Sequence, residues 1–345
     1  MSSSADNAII TKAKAIYGHR LKSEDYERML EMDSVPEIAE YLKTKENYRS
    51  YLADVNEQTL HRGQLEEIIR KVLFGHTLKL VKFLKTKDAR FYQLNMVRRE
   101  IDIILSTLRA IISGDFDILL ANYPTYFTAH ASFDTEELTQ SKTYEQLLEA
   151  TEDTRYHPVL KQFETEKKED IHYTDIEERM DELYYDEVFK RIDELFTGKE
   201  NKRLKEIFRT KIDLHNIIMI YRLKKFYKAD RRTILNALIL KHSTIRQRTL
   251  EEMMALPDAD LILTYLESSE HSLKSEDDEY IYIEYYAERM KYNLARRYMY
   301  YSSDAPQVYS AFLILNEIER DNLFNLIEGV RYDLTNDEIK KMLIY

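Results

Sequence analysis

Apolar residues recur at helical spacing along almost the whole chain. In residues 7–21, Ile9, Ala13, Ile16 and Tyr17 form one stripe, which predicts an amphipathic helix. Ser23 then precedes Glu24, Asp25, Tyr26 and Glu27, an N-cap signature for a short helix that buries Tyr26, Met29 and Leu30. The turn Asp33-Ser-Val-Pro36 follows. Ser34 and Glu37 have capping-box spacing for a helix carrying Ile38, Tyr41 and Leu42. Thr59 is positioned to cap a long helix over residues 60–84, with Leu65, Ile68, Ile69, Val72 and Leu73 on its apolar face. After Thr86-Lys-Asp, another long helix runs through Met96, Ile101, Ile104, Leu105, Leu108, Ile111 and Ile112 to Gly114, a C-cap candidate. Asn122-Tyr-Pro124 breaks the periodicity. An acidic helix is expected over 174–196, stopping at Gly198, and a Tyr-crowded one from Asp277 to about Tyr300.

The pattern returns on itself. Tyr26-Glu-Arg-Met29-Leu30 is echoed by Tyr144-Glu-Gln-Leu147-Leu148, by Leu250-Glu-Glu-Met253-Met254 and, at the end, by Ile339-Lys-Lys-Met342-Leu343. Pro36, Pro158 and Pro257 fall in matching hairpin turns, where proline is tolerated as it is not inside a helix. Asn7-Ala-Ile-Ile, Asn216-Ile-Ile-Met and Asn322-Leu-Phe-Asn align on leading helices, with Leu105-Ser-Thr-Leu in the remaining slot. Upstream, Glu100-Ile-Asp102, Lys211-Ile-Asp213 and Glu317-Ile-Glu319 align. The period, about 105 residues, exceeds the roughly 34–47 of common helical solenoids. It suits a three-part, ring-like arrangement closed where the C-terminal helices pack on the first unit. The units would be 1–97 plus 306–345, 98–209 and 210–305.

Composition sharpens the fold class. Only 6 Gly and 5 Pro occur in 345 residues, several-fold below average usage. Strands need turns and turns draw on these residues, so the expectation is all-α. Without Cys there is no disulfide framework, thiolate site or cysteine nucleophile. The N-terminus lacks a basic region followed by an apolar run, so no signal peptide is expected. The apolar run 234–240 is far short of the roughly 20 residues that span a bilayer. A soluble protein is expected, associating with membranes only through a partner.

Charge is uneven. The chain carries a net −11, yet residues 133–200 hold a net −12 and residues 201–248 a net +11. The acidic balance argues against a nucleic-acid binder. The basic run Arg222, Lys224, Lys225, Lys228, Arg231 and Arg232 suits either acidic partner surfaces and lipid headgroups or internal pairing with the acidic segment. Dispersed glycines rule out a phosphate-binding loop, and the nine histidines show no ligand spacing. No catalytic, cofactor or metal residue is assigned. Glu177, Glu178, Asp181 and Glu182 suit a solvated helix face more than an acid–base pair. The most specific polar feature is the set Asp102, Asp213 and Glu319, with Asn216 and Asn322 one turn on. Buried polar groups must be paired, so these residues are expected to cap or cross-link helix ends. The tyrosines Tyr280, Tyr282, Tyr285, Tyr286, Tyr292, Tyr298, Tyr300 and Tyr301 are expected mainly as helix-packing surface.

Taken in order, four segments resemble a known family. They are Asn7 with Lys14-Ala15; Tyr41-Leu42-x-Thr44 with Tyr48; Ile212-Asp213-x2-Asn216-Ile217 with Arg222; and Glu317-Ile-Glu319-x2-Asn322-Leu323 with Ile327, Gly329 and Arg331. The whole chain resembles the C-type subunit of archaeal and bacterial V/A-type ATPases, the counterpart of the eukaryotic d-type subunit. Leu105 and Ser106 depart from the pattern, so the second unit is expected to lack that contact. The resemblance implies a funnel of three helical bundles with no catalytic residues and no cofactor. It implies a central-stalk subunit, peripheral on the cytoplasmic face, between a proton- or sodium-carrying ring of c-type subunits and the D- and F-type shaft subunits. The rivals are a free-standing helical scaffold and a helical hydrolase or lyase using carboxylates.

Overall fold

The computed structural model describes residues 4–57, 60–82, 89–121, 126–263 and 283–345, and among these every regular element is helical. Two compact units are distinguished: Met1–Thr86 with Leu273–Tyr345, and Lys87–Ser272.

The first unit opens with α1 (Ser4–Gly18), which buries Ile9, Ala13 and Tyr17. In α2 (Ser23–Leu30), Tyr26, Met29 and Leu30 are buried. Its N-cap is Lys22, one residue before the expected Ser23, because the Asp25 carboxylate accepts the Lys22 N–H at 2.7 Å and satisfies the orphan donor itself. In α3 (Val35–Lys43), the Ser34 hydroxyl accepts the Glu37 N–H at 3.4 Å, while Glu37 accepts from the Asp33 N–H at 3.2 Å. Pro36 sits in the first turn, where its missing N–H costs nothing. After α4 (Glu46–Leu52), α5 (Arg62–Val81) is capped by His61, whose N–H reaches Gln64 Oε1 at 3.0 Å. Thr59, the Thr86 turn, Asn122-Tyr-Pro124, Asp277, Tyr280 and Tyr282 lie outside the described residues.

The second unit begins with α6 (Ala89–Tyr92) and α7 (Leu94–Ser113). As expected, α7 stops at Gly114, whose φ of 77° is the left-handed C-cap conformation glycine takes most cheaply. The short α8 (Phe116–Ala121), α9 (Thr135–Gln140), α10 (Tyr144–Glu149) and α11 (His157–Lys161) lead to the acidic α12 (Tyr173–Leu195). Gly198 opens the following helix rather than ending α12. Its φ of 59° lets the chain turn within a few residues into α13 (Gly198–Lys225). Residues 209–210, expected as a boundary, lie inside this continuous helix. The described part of the unit continues with α14 (Arg231–Asn236) and α15 (Gln247–Ala255). Helices α7 and α13 both pack against α12, and α10 packs against α7.

The chain returns to its first unit through α16 (Ile283–Tyr301), α17 (Ala305–Arg331) and α18 (Asn336–Lys340). Helix α16 runs beside α17 and buries Tyr286, Tyr292 and Tyr298, whereas Tyr300 and Tyr301 are exposed. Residues 283–301 therefore group with the first unit.

Helix α17 is the axis of that unit. It packs against α1, α2, α3, α5, α16 and α18. Its first half is buried nearly all round, from Ala305 to Phe312, as a helix surrounded by others must be. Leu323, Leu326, Ile327, Ile339 and Leu343 join Leu21, Tyr26, Met29 and Leu30 in one apolar core. The two chain ends meet there: Tyr345 stacks on Tyr26 with centroids 4.9 Å apart, and Lys340 pairs with Glu27 at 2.8 Å.

Gly329 sets how closely α18 can approach, since a Cβ there would collide with the Ile339 side chain. Gly329→Val is expected to destabilise the protein by about 1–3 kcal/mol through overpacking. Gly63→Ala, at a position with no heavy atom within 4 Å of the new Cβ, is expected to be neutral or slightly stabilising. Paired thermal or urea unfolding curves check the contrast.

Candidate functional site

One hydrogen-bond arrangement occurs three times on long helices. On α17, Glu319 accepts the Leu21 N–H at 3.3 Å and the Tyr48 hydroxyl at 2.6 Å, so α17 holds the chain just ahead of α2. On α13, Asp213 accepts the Ser243 hydroxyl at 2.6 Å, the Thr244 N–H at 2.9 Å and the Thr244 hydroxyl, just ahead of α15. On α7, Glu100 accepts the Ser132 N–H and the Tyr156 hydroxyl, just ahead of α9. In each case an acid ties a long helix to the backbone before a short helix and gathers at least one hydroxyl.

Asparagine adds a second tie one turn later. Asn216 donates from Nδ2 to the Ile239 carbonyl at 3.0 Å and accepts the Ile239 N–H at 2.8 Å. Asn322 does the same with Ile344, at 2.7 and 2.8 Å. Both asparagines are buried. An amide side chain carries one donor group and one acceptor, so it replaces a backbone partner on both sides at once. Glu319 with Asn322, and Asp213 with Asn216, thus form two-part clasps.

Asp102 does not share this geometry. It is half-buried and pairs with Arg98 at 3.1 Å, which in turn reaches Asp181 at 2.5 Å. The clasp carboxylate of α7 is Glu100, two residues upstream. Ile103 stands three residues after it, so no amide completes the pair. Asn7, aligned by sequence with Asn216 and Asn322, is exposed on α1. These contacts fall just ahead of α2, α9 and α15, and the Tyr144 helix, α10, follows α9. Glu100 had a readable signal. It sits between Val97, Ile101 and Ile104 on the buried stripe of α7. A carboxylate on an apolar stripe demands paired donors.

Burial dominates the titration of Glu319. It pushes the carboxyl up to about 7, against the hydrogen bonds from Tyr48 and Leu21. The Tyr48 hydroxyl is raised by its own burial and by the Glu319 charge. Nearby, burial and the Lys79 charge lower His76 to about 4, keeping it neutral.

The basic run at the end of α13 divides by partner. Lys224 Nζ donates to the Met254 carbonyl at 2.6 Å, Lys225 pairs with Asp260 at 2.6 Å, and Arg231 with Glu251 at 2.9 Å. Arg222, though exposed, keeps an interaction within the fold, and Lys228 and Arg232 are exposed. Elsewhere in the basic block, Lys205 pairs with Asp193 at 2.5 Å and Lys241 with Asp186 at 2.7 Å, both acids on α12. Internal neutralisation therefore covers part of the block, and Lys228 and Arg232 are among the cations it leaves exposed. Among the described residues, no group of three His, Asp or Glu side chains could hold a metal ion, and no helix is long and apolar enough to cross a membrane.

Two variants test the clasps. Glu319 takes its proton more readily folded than unfolded, so its contribution to stability is fully present below its ordinary value of 4.5. That contribution is lost as pH rises through about 7. Glu319→Gln should remove this dependence, so wild type minus variant stability should fall between pH 4.5 and 7.5 in urea titrations. Asn216→Leu should cost about 1–3 kcal/mol for each backbone group of Ile239 left unpaired, read as a lower urea midpoint.

Comparison with known proteins completes the picture. No curated protein matches the chain. Residues 9–342, nearly its full length and including all three carboxylate ties, match one family. The chain belongs to the ATP synthase (C/AC39) subunit family.

Proposed function

We propose that the chain is a non-catalytic central-stalk component of a V/A-type ATPase, of the C or d type. It couples the shaft of the ATP-hydrolysing head to the membrane rotor ring. The observation that carries this reading is the family match over residues 9–342. The physical build agrees with a part that transmits torque. Helices α12, α13 and α17 have 23, 28 and 27 residues, the last two on the order of 40 Å each. The three carboxylate ties lock the starts of short helices to long ones, which resists shear between them. In this role the protein is peripheral, on the cytoplasmic face. It contacts c-type ring subunits and D- and F-type shaft subunits and hydrolyses nothing itself.

The recurring ties on α7, α13 and α17 support a plan of three repeated helical bundles arranged as a funnel, the first built from both ends of the chain. Ser132, Thr244 and Leu21 would then be equivalent points where each bundle's hairpin leaves its long helix.

Reconstitution tests the role. An ATPase assembled without this protein should keep much of its ATP hydrolysis and lose ATP-driven ion transport, and adding the purified chain should restore coupling. Transport that persists in its absence, or a chain that co-purifies with neither ring nor shaft, contradicts the proposal.

A further inference from the structure

The turn between α13 and α14 combines three features that helix packing does not explain. First, Phe226 and Tyr227 are 65% and 70% exposed, side by side at the helix end. An exposed large apolar pair on a tip calls for a covering medium. Second, Lys228 holds φ at 46°, the left-handed conformation that glycine would take at less cost. The Ala229 N–H closes on the Leu223 carbonyl at 3.0 Å, so the turn is a fixed helix stop. A lysine there places an exposed cation next in sequence to the two rings. Third, Lys225 and Arg231 are matched by Asp260 and Glu251, whereas Lys228 and Arg232 have no ion-pair partner among the described residues.

Asp230 lies between these two cations and caps α14, accepting the Thr233 N–H at 2.7 Å, so the turn keeps a net positive charge beside its rings. Exposed aromatic rings on a positively charged tip suit one medium in particular. The interfacial zone of a bilayer accepts an apolar ring at the acyl boundary, while anionic headgroups meet the ammonium and guanidinium groups. A folded acidic protein would have to offer a shaped pocket to each projecting ring, whereas lipid conforms to a protruding tip. The surrounding block, formally net +11 over residues 201–248 and only partly neutralised by Asp186, Asp193, Glu251 and Asp260, adds long-range attraction.

We propose that the turn Phe226–Arg232 is a lipid-contacting tip that inserts Phe226 and Tyr227 among anionic phospholipid headgroups through Lys228 and Arg232. This adds a direct membrane contact to a protein otherwise attached through its partners. It is tested without the rest of the ATPase, so it and the assembly reading can fail separately.

The chain has no Trp, so Phe226→Trp installs a single indole in the full-length protein. Phosphatidylglycerol vesicles should shift its emission to the blue, and brominated acyl chains should quench it. Phosphatidylcholine vesicles should do neither. In the same background, Lys228→Gln with Arg232→Gln should weaken vesicle binding about 30-fold, from roughly fivefold per cation near an anionic surface. Circular dichroism checks that the fold is kept. An indole unmoved by anionic vesicles, or moved equally by neutral ones, overturns the proposal. So does a shift seen only with detergent-solubilised rotor ring, which would assign the tip to a protein contact.

Discussion

A buried carboxylate joins the two ends of this chain. Glu319 is 9% exposed and accepts hydrogen bonds from Leu21 and Tyr48, residues nearly 300 positions away in sequence. Taking a carboxylate out of water is costly unless it is well paired. Two donors, from the chain ahead of α2 and from α4, offset part of that cost and fix where α17 must lie. The apolar core around Leu323 and Leu326, the stacking of Tyr345 on Tyr26 and the seat of α18 against Gly329 all follow from that placement. The first unit is therefore completed by the last residues of the chain. Such non-local closure makes folding slower than in a helical bundle built from neighbours.

The same physical device appears in the second unit with different residues. Asp213 gathers Ser and Thr where Glu319 gathers Tyr, and Glu100 again takes a backbone N–H and a Tyr hydroxyl. A shorter acid with hydroxyls near the backbone and a longer acid with a reaching phenol solve one geometric problem. Under the proposed role this matters because a torque-bearing part must not hinge where short helices leave long ones. A directional tie to a backbone N–H resists sliding in a way that apolar contact alone does not.

Much of the helical architecture was legible in the sequence, because its signals are local. The stripe of α1, the Ser34 cap and the stop at Gly114 are written within a few residues of where they act. The all-α class followed from scarce Gly and Pro for the same reason. What failed depends on contacts distant in sequence. Asp102 and Glu100 lie on one helix, and only the partner segments decide which carboxylate is tied. α9 buries Thr135, Leu138 and Thr139, a weak apolar signal, so the tie ahead of it has no local mark. The Ser23 cap is the local exception: Asp25, three residues from Lys22, serves the Lys22 N–H and moves the cap one residue back. The partners of the basic run were open in sequence, since pairing of Lys205 and Lys241 with α12 depends on how α12 and α13 lie together.

The ties make one claim that can be read at single amides. Leu21, Ile239 and Ile344 lie outside the helices, yet each donates its N–H to a side chain of α13 or α17. Native-state hydrogen exchange resolves them individually. Protection equal to that of the slowest core-helix amides of the same unit is the expected result. Exchange as fast as at an exposed turn amide such as Lys228 would contradict the clasps as the elements that hold each unit together.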